Sequence, residues 1–174
     1  MDMVEVTIDS IRVSLVSHHR IVVLKDDDDR YLPIWIGPYE ADAITIALQG
    51  NEVARPLTHD LLRNLITETG ASASHIFVSE LRDEIFFARI VLDVDGRHVE
   101  VDSRPSDAIA LAVRLKCPIY VSDSVMERAS ITPSRGMETV SPEEAEKLSA
   151  FRDLIEDLDL SDLEAGEEPP KSEE

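Results

Sequence analysis

The stretch "VDSRPSDAIALAV", residues 101–113, changes from polar to apolar across a single proline. A residue that precedes proline is restricted to extended backbone, so the strand that runs to Asp102 has to stop at Arg104. Proline suits the first turn of a helix, which predicts that a helix begins at about Pro105 or Ser106. The run of small apolar residues that follows predicts that this helix is buried.

The polar side chains at the start of this helix have two interpretations. Ser106 and Asp107 fall in the first helical turn, where they can cap free backbone amides and favour the helix dipole. Alternatively, Arg104 and the helix N-terminus bind a phosphate, while Asp102 and Asp107 hold a cation or a water molecule. The spacing of the residues leaves both interpretations open.

The stretch "RPLTHDLL", residues 55–62, repeats this pattern of arginine, proline and carboxylate at a helix start. His59 can act as a general acid or base near neutral pH, and Asp60 can bind a metal or orient a neighbour. The competing interpretation is that Thr58 and Asp60 cap the helix and that His59 is half exposed. Two helix starts of this kind make a shared groove plausible, which gives the hypothesis that both open onto one cleft.

A third helix start, after Gly37 and Pro38, carries Glu40 and Asp42. Acidic residues at such a position complement the helix dipole, which explains both of them. Glu40 is the better candidate for a site because it lies nearer the turn. Trp35 alternates with Ile34 and Ile36 in the preceding strand pattern, and we predict that it lies in the core or at an interface rather than serving as a base-stacking platform.

The remaining patterns predict runs of strands with helices between them. Residues 4–15 alternate as a strand with a kink near Asp9 and Ser10, and "RIVVLKDDDDRYLPIWIG" predicts a hairpin with a solvated acidic tip at residues 26–29, in preference to a cation site. Asp95-Gly96 is typical of a tight hairpin turn. These patterns favour an α+β fold in which a mostly antiparallel sheet is packed with helices.

Composition limits the classes of function. The chain has 174 residues and a formal net charge of −19, which opposes passive attraction to nucleic acid or to anionic membranes. Cys117 is the only cysteine, which excludes an internal disulfide and suits a reducing compartment. No stretch approaches the roughly 20 apolar residues of a membrane span. We therefore expect a cytoplasmic protein without a membrane partner.

The C-terminal part of the sequence differs from the rest. Residues 141–174 carry a net charge of −10, and the first 140 residues carry −9. We predict a domain over residues 1–131, a linker over 132–140, an amphipathic acidic helix over 141–163 and a disordered acidic tail over 164–174. The apolar stripe of the predicted helix docks on the domain or pairs between subunits.

Three stretches together resemble the bifunctional nuclease family, to which RNase and DNase activity are ascribed. They are "LPIWIGPYEADAI", "RPLTHDLL" and "FFARIVLDVDGRHVEVDSRPSDAIALAVRLKCPIYV", and the resemblance covers roughly residues 4–131. It implies an α+β domain that forms homodimers, with a large groove as the active site. It also implies a nuclease that hydrolyses phosphodiester bonds of RNA and DNA with the assistance of a divalent metal, Mg or Mn.

The residues in these matching stretches receive roles from the resemblance and from their chemistry. His59, Asp60 and Asp107 are the expected catalytic residues, and His59 would shuttle a proton. Arg55, Arg104 and Ser106 are expected to bind the substrate phosphate, while Asp102, Asp107 and Glu40 are expected to bind the metal. The alternative is a non-catalytic dimeric regulatory or adaptor module that uses the C-terminal acidic helix for protein partners.

Overall fold

The computed structural model describes residues 2–13, 19–51 and 53–132, and these residues form seven strands and four helices. The strands are β1 (Met3–Val13), β2 (Arg20–Lys25), β3 (Tyr31–Ile36), β4 (Ser72–Arg82), β5 (Ile85–Val94), β6 (Arg97–Ser103) and β7 (Ile119–Ser122). The helices are α1 (Pro38–Leu48), α2 (Thr58–Glu68), α3 (Pro105–Leu115) and α4 (Asp123–Ala129). The predicted acidic helix and tail, and the linker from residue 133 onward, lie outside the described residues.

The seven strands form one sheet in the order β3-β2-β1-β7-β4-β5-β6. Every neighbouring pair is antiparallel except β4 and β7, which run parallel. The first half of β1 pairs with β7 and the second half pairs with β2, and the register shifts between Ile8 and Ser10. This irregularity lies at the predicted kink. The predicted α+β fold with a mostly antiparallel sheet is confirmed.

Helix α3 is buried between the sheet and two other helices. It contacts β4 and β5 on one side and α1 and α2 on the other. Its residues from Ala108 to Ala112 are all buried, and the alanines at positions 108, 110 and 112 let the neighbouring elements approach closely. The helix begins at Pro105 with Arg104 as its extended N-cap, as the sequence predicts. Burial of α3 therefore holds the start of this helix against the starts of its neighbours.

Some large apolar side chains lie outside the core, and the predicted core position of Trp35 is wrong. In α2, Ile66 is buried whereas Leu61 and Leu65 are 64% and 59% exposed. Trp35 is 58% exposed and does not belong to the core. Its strand, β3, lies at the edge of the sheet and has β2 as its neighbour among the seven strands. Among the described helices, none is long and apolar enough to span a bilayer.

The acidic tip between β2 and β3 is not simply a solvated turn. Asp26 is only 5% exposed, and its carboxylate accepts hydrogen bonds from the backbone amides of Asp28 and Arg30 at 3.0 and 2.8 Å. The Arg30 Nε donates to the same carboxylate at 2.6 Å. Asp27 and Asp28 are exposed, as expected for a turn. Asp26 thus organises the hairpin through local hydrogen bonds.

Replacement of Asp26 by alanine is expected to lower the free energy of unfolding by about 2 kcal/mol or more, because a buried charged partner of Arg30 is lost. The exposed neighbour Asp27 provides the matched control, and Asp27→Ala is expected to change stability by less than about 0.5 kcal/mol. Urea denaturation measures both values. Equal stabilities for the two variants would contradict the structural role of Asp26.

Candidate functional site

Three helix starts line one open cavity. The cavity has a volume of about 330 Å³. Helix α1 contributes residues from its first three turns, whereas α2 and α3 contribute residues of their first turn and the residue just before it. The lining residues are Tyr39, Glu40, Asp42, Ala43, Ile46, Leu57, Thr58, His59, Arg104 and Asp107. The hypothesis that the helices near Pro56 and Pro105 open onto a common cleft is therefore confirmed.

Arg104 is the centre of the polar contacts in this cavity. Its Nε and Nη2 atoms donate to the two oxygens of Asp107 at 2.7 and 3.0 Å, which is a bidentate arrangement. Its Nη1 atom lies 2.9 Å from Oε1 of Glu40. The side chain of Arg104 is nevertheless 66% exposed. A guanidinium has five N–H donors, so these contacts leave donors for a ligand in the open part of the cavity.

Asp107 also joins α3 to α2. Its Oδ1 atom lies 3.2 Å from Nε2 of His59. Burial alone would raise the pKa of Asp107, but hydrogen bonds from Arg104 and His59 outweigh this effect and lower the pKa below its ordinary value. An ionised carboxylate only accepts hydrogen bonds, so Nε2 of His59 carries the proton of this contact. The Nδ1 atom is then available to exchange a proton in a neutral imidazole.

The capping interpretation does not describe Asp107. Among the described residues, no side-chain hydrogen bond caps the start of α3, and both oxygens of Asp107 contact side chains instead. The same holds for Glu40 at the start of α1, which has no side-chain cap and contacts Arg104. These carboxylates are therefore held by side chains that line the cavity rather than by the free backbone amides of their own helices.

Gly37 makes the position of Glu40 possible. A Cβ atom at residue 37 would lie 2.1 Å from Oε2 of Glu40, well inside van der Waals contact. The backbone φ of Gly37 is −71°, which any residue adopts, so the one obstacle to a side chain here is this contact with the flexible end of Glu40. An alanine at position 37 would push the Glu40 carboxylate from its place.

Asp60 has a different environment from the other predicted catalytic residues. Its Oδ2 atom accepts a hydrogen bond from the amide of Leu57 at 2.9 Å, so Asp60 caps α2. Its Oδ1 atom lies 2.6 Å from Nε of Arg114 on α3, whose side chain is only 4% exposed. Although burial opposes the charged form, the Leu57 amide and Arg114 lower the pKa of Asp60. This pair ties α2 to α3.

The other predicted site residues are not brought into this cluster. Arg55 is exposed in the segment before α2 and does not line the cavity. Asp102 is exposed on β6, opposite Arg89 of β5. Ser106 is buried and lines a neighbouring cavity of about 290 Å³. Glu40, His59, Arg104 and Asp107 are the predicted residues that the structure brings together.

The carboxylates do not fit a divalent cation in the arrangement described. Among residues 2–13, 19–51 and 53–132, no group of three or more His, Cys, Asp or Glu side chains is placed to hold a metal. Arg104 contacts both Glu40 and Asp107, so its positive charge already takes the place of a cation between them. Asp102 does not line the cavity. We therefore assign no metal ligand among these carboxylates. The metal requirement itself stays a prediction.

Sequence reasoning missed two residues near the site. Arg114 was not singled out, although a charged residue inside the apolar run "IALAVRL" indicates a buried ion pair. Tyr39 lines the cavity and is 85% exposed. The sequence of α1 offers no signal that separates Tyr39 from an ordinary surface residue.

Comparison with known proteins defines the class to which this fold and site belong. The family model described as "Bifunctional nuclease domain" matches residues 22–134, a range that includes the cavity described above. The chain belongs to the bifunctional nuclease domain family.

The similar proteins include an uncharacterized bacterial protein and plant proteins that are named nucleases. An uncharacterized protein of Mycobacterium tuberculosis is 38% identical over 157 residues, which cover 87% of this chain and 94% of that protein. The rice protein named Bifunctional nuclease 2 is 27% identical over 82% of this chain and 43% of its own length. The Arabidopsis thaliana protein named Bifunctional nuclease 1 is 31% identical over 60% of this chain and 34% of its own length. The matched region thus spans less than half of these plant relatives.

Replacement of Asp60 by asparagine is expected to lower the free energy of unfolding by about 3 kcal/mol at neutral pH, because Arg114 then lacks its charged partner in a buried position. The pKa of Asp60 is below 3.8 in the folded protein, so the stabilisation is complete above that pH and is lost as the pH falls through the lowered value. The difference between wild type and variant should therefore shrink in strong acid. Denaturation across a pH series measures it.

The exposed Asp102 provides the control for this prediction, since Asp102→Asn removes a carboxylate from the surface of β6 rather than from a buried position. Its stability is expected to match that of the wild type at every pH. A pH-independent difference between Asp60→Asn and wild type would contradict the assignment of this ion pair.

Proposed function

We propose that this protein is a nuclease that hydrolyses phosphodiester bonds of RNA and DNA at the cavity formed by the starts of α1, α2 and α3. The observation that carries this proposal is the contact of Asp107 with both Arg104 and His59, 2.7 and 3.2 Å away. In this proposal, the contact brings a phosphate-binding group and a proton-exchanging group together in one open cavity. The plant relatives named bifunctional nucleases support the choice of reaction.

Arg104 binds the phosphate in this proposal. Its remaining N–H donors face the non-bridging oxygens of the phosphodiester, where negative charge develops as the bond breaks. Glu40 and Asp107 hold the guanidinium plane in place, so that little reorganisation is needed when the substrate binds. A lysine at this position lacks the planar fork that matches both carboxylates and a phosphate.

His59 moves the proton. A water molecule attacks phosphorus, and Nδ1 of His59 accepts the proton that this water releases. The bond from phosphorus to the leaving oxygen breaks with its electron pair on that oxygen, which takes a proton from solvent. Asp107 orients the imidazole through Nε2 and stabilises the positive charge that forms on it. Asp60 acts in this proposal as a positioning residue, because it contacts Arg114 and the Leu57 amide rather than the cavity cluster.

The assembly and the compartment are also proposals. We propose a homodimer, which is supported by exposed leucines spaced four residues apart at the N-cap of α2 and along the helix, namely Leu57, Leu61 and Leu65. We propose the cytoplasm because the chain has a single cysteine. The same exposed leucines favour the second candidate function, a non-catalytic dimeric adaptor module that recruits protein partners.

A nuclease assay on labelled single-stranded RNA and DNA distinguishes these functions. We expect wild type to cleave both, and His59→Ala and Asp107→Asn each to lower the rate by about 100-fold or more, because proton transfer is lost. The exposed His98 on β6 provides the matched control, and His98→Ala should retain the wild-type rate. Parallel reactions with Mg, with Mn and with a chelator test the metal requirement.

A contaminating nuclease would be revealed by the double variant His59→Ala with Asp107→Asn, purified in the same way. Cleavage by this variant at the wild-type rate would contradict the proposed site. Absence of cleavage by every preparation, with folded dimers in solution, would favour the adaptor module instead.

A further inference from the structure

Arg104 lies between two cavities, and only one of them contains the groups assigned to catalysis. The first is the cavity of about 330 Å³ that holds Glu40, His59 and Asp107. The second, of about 290 Å³, is lined on one side by Trp35 and on the other by Ile85 from the start of β5. Each has a volume at the lower end of the range for small-molecule sites, near 300 Å³. The shared arginine makes them neighbouring parts of one surface.

Each cavity carries an exposed aromatic side chain. Trp35, the only tryptophan of the chain, is 58% exposed in the second cavity, and Tyr39 is 85% exposed in the first. These two rings precede and follow the Gly37-Pro38 turn. Large aromatic groups left exposed beside a binding cavity are typical of stacking sites for flat ligands. The ring of His19 contacts Trp35 in a perpendicular arrangement, with 5.8 Å between the ring centroids, and Trp35 stays 58% exposed beside this contact.

The charges of the two cavities indicate which part of a ligand each can take. Among the described residues, Arg104 is the only arginine or lysine that lines either cavity, whereas Glu84 lines the second and Asp42 joins the catalytic carboxylates in the first. One phosphate therefore has a partner, and a second phosphate in either cavity would meet acidic side chains. Uncharged aromatic bases suit both cavities. This arrangement matches one phosphodiester with a base on each side of it.

We propose that the second cavity binds a nucleobase, which stacks on Trp35, and that the neighbouring base lies against Tyr39 when the phosphate between them is held by Arg104. This inference rests on the proposed nuclease function and names its substrate as single-stranded nucleic acid. The bases of a duplex are already stacked and cannot reach the two rings. Sequence preference is expected to be weak, because every base offers a flat face.

The single tryptophan allows a direct test by fluorescence. A short single-stranded DNA is added to the full chain in the cold with a chelator, and the DNA is checked for integrity afterwards. We expect quenching of the Trp35 emission, with little quenching by the same DNA carrying abasic sites or by its duplex. In fluorescence anisotropy with labelled DNA, Trp35→Ala is expected to raise the Kd by about 5-fold to about 100-fold, as for loss of one stacked base.

Controls separate stacking from a change in the fold. Ile131 is 60% exposed in a different cavity, so Ile131→Ala removes an equally exposed apolar side chain and should leave the Kd unchanged. Trp35→Phe keeps an aromatic face and should recover part of the affinity. Tyr39→Ala should also weaken binding. Equal affinity of wild type and Trp35→Ala, or equal quenching by abasic DNA, would overturn the inference.

The outcome of this test is independent of the cleavage assay. Quenching and base-dependent binding without any cleavage would support the base site and contradict the nuclease activity. Cleavage that depends on His59, with no quenching and with the same KM for Trp35→Ala and wild type, would contradict the base site alone. Absence of any DNA binding would overturn it as well.

Discussion

Burial of helix α3 is the constraint on which the site depends. This helix lies between the sheet and helices α1 and α2, and its residues from Ala108 to Ala112 have almost no exposed surface. Removal of this apolar surface from water is the main favourable contribution to the fold, and small side chains allow the close approach. Because α3 cannot shift without disturbing both sides, Arg104 and Asp107 at its start are held against α1 and α2. The rigid core thereby presents an open polar cavity.

Two aspartates in similar sequence contexts have different structural roles. Asp60 and Asp107 each follow an arginine and a proline at a helix start. Asp60 caps its own helix and pairs with the buried Arg114, so it contributes to the stability of the α2–α3 contact. Asp107 does not cap the backbone amides of its helix and instead contacts Arg104 and His59 in the cavity. A local pattern thus specifies the helix start, while the partners that surround it specify what the carboxylate does.

The acidic side chains that contact Arg104 leave it open to solvent. Glu40 and Asp107 share the charge of Arg104, whose side chain stays 66% exposed. In our proposals a substrate meets one arginine at its phosphate and aromatic rings at its bases, so affinity does not require a basic surface. Base stacking and a single charge-assisted contact offset the repulsion expected from a net charge of −19.

The sequence by itself determined the order and type of the elements, the kink in β1, the helix starts at Arg104 and near Pro56, and the tight turn at Asp95 and Gly96. These features follow from local backbone chemistry: proline restricts φ, and apolar residues repeat with the period of a strand or a helix. The tertiary structure alone decided that Glu40, His59, Arg104 and Asp107 share a cavity, that Asp60 pairs with Arg114, and that Trp35 is exposed. Such contacts join residues far apart in the chain, and their geometry depends on how the sheet and three helices pack, which no local pattern encodes.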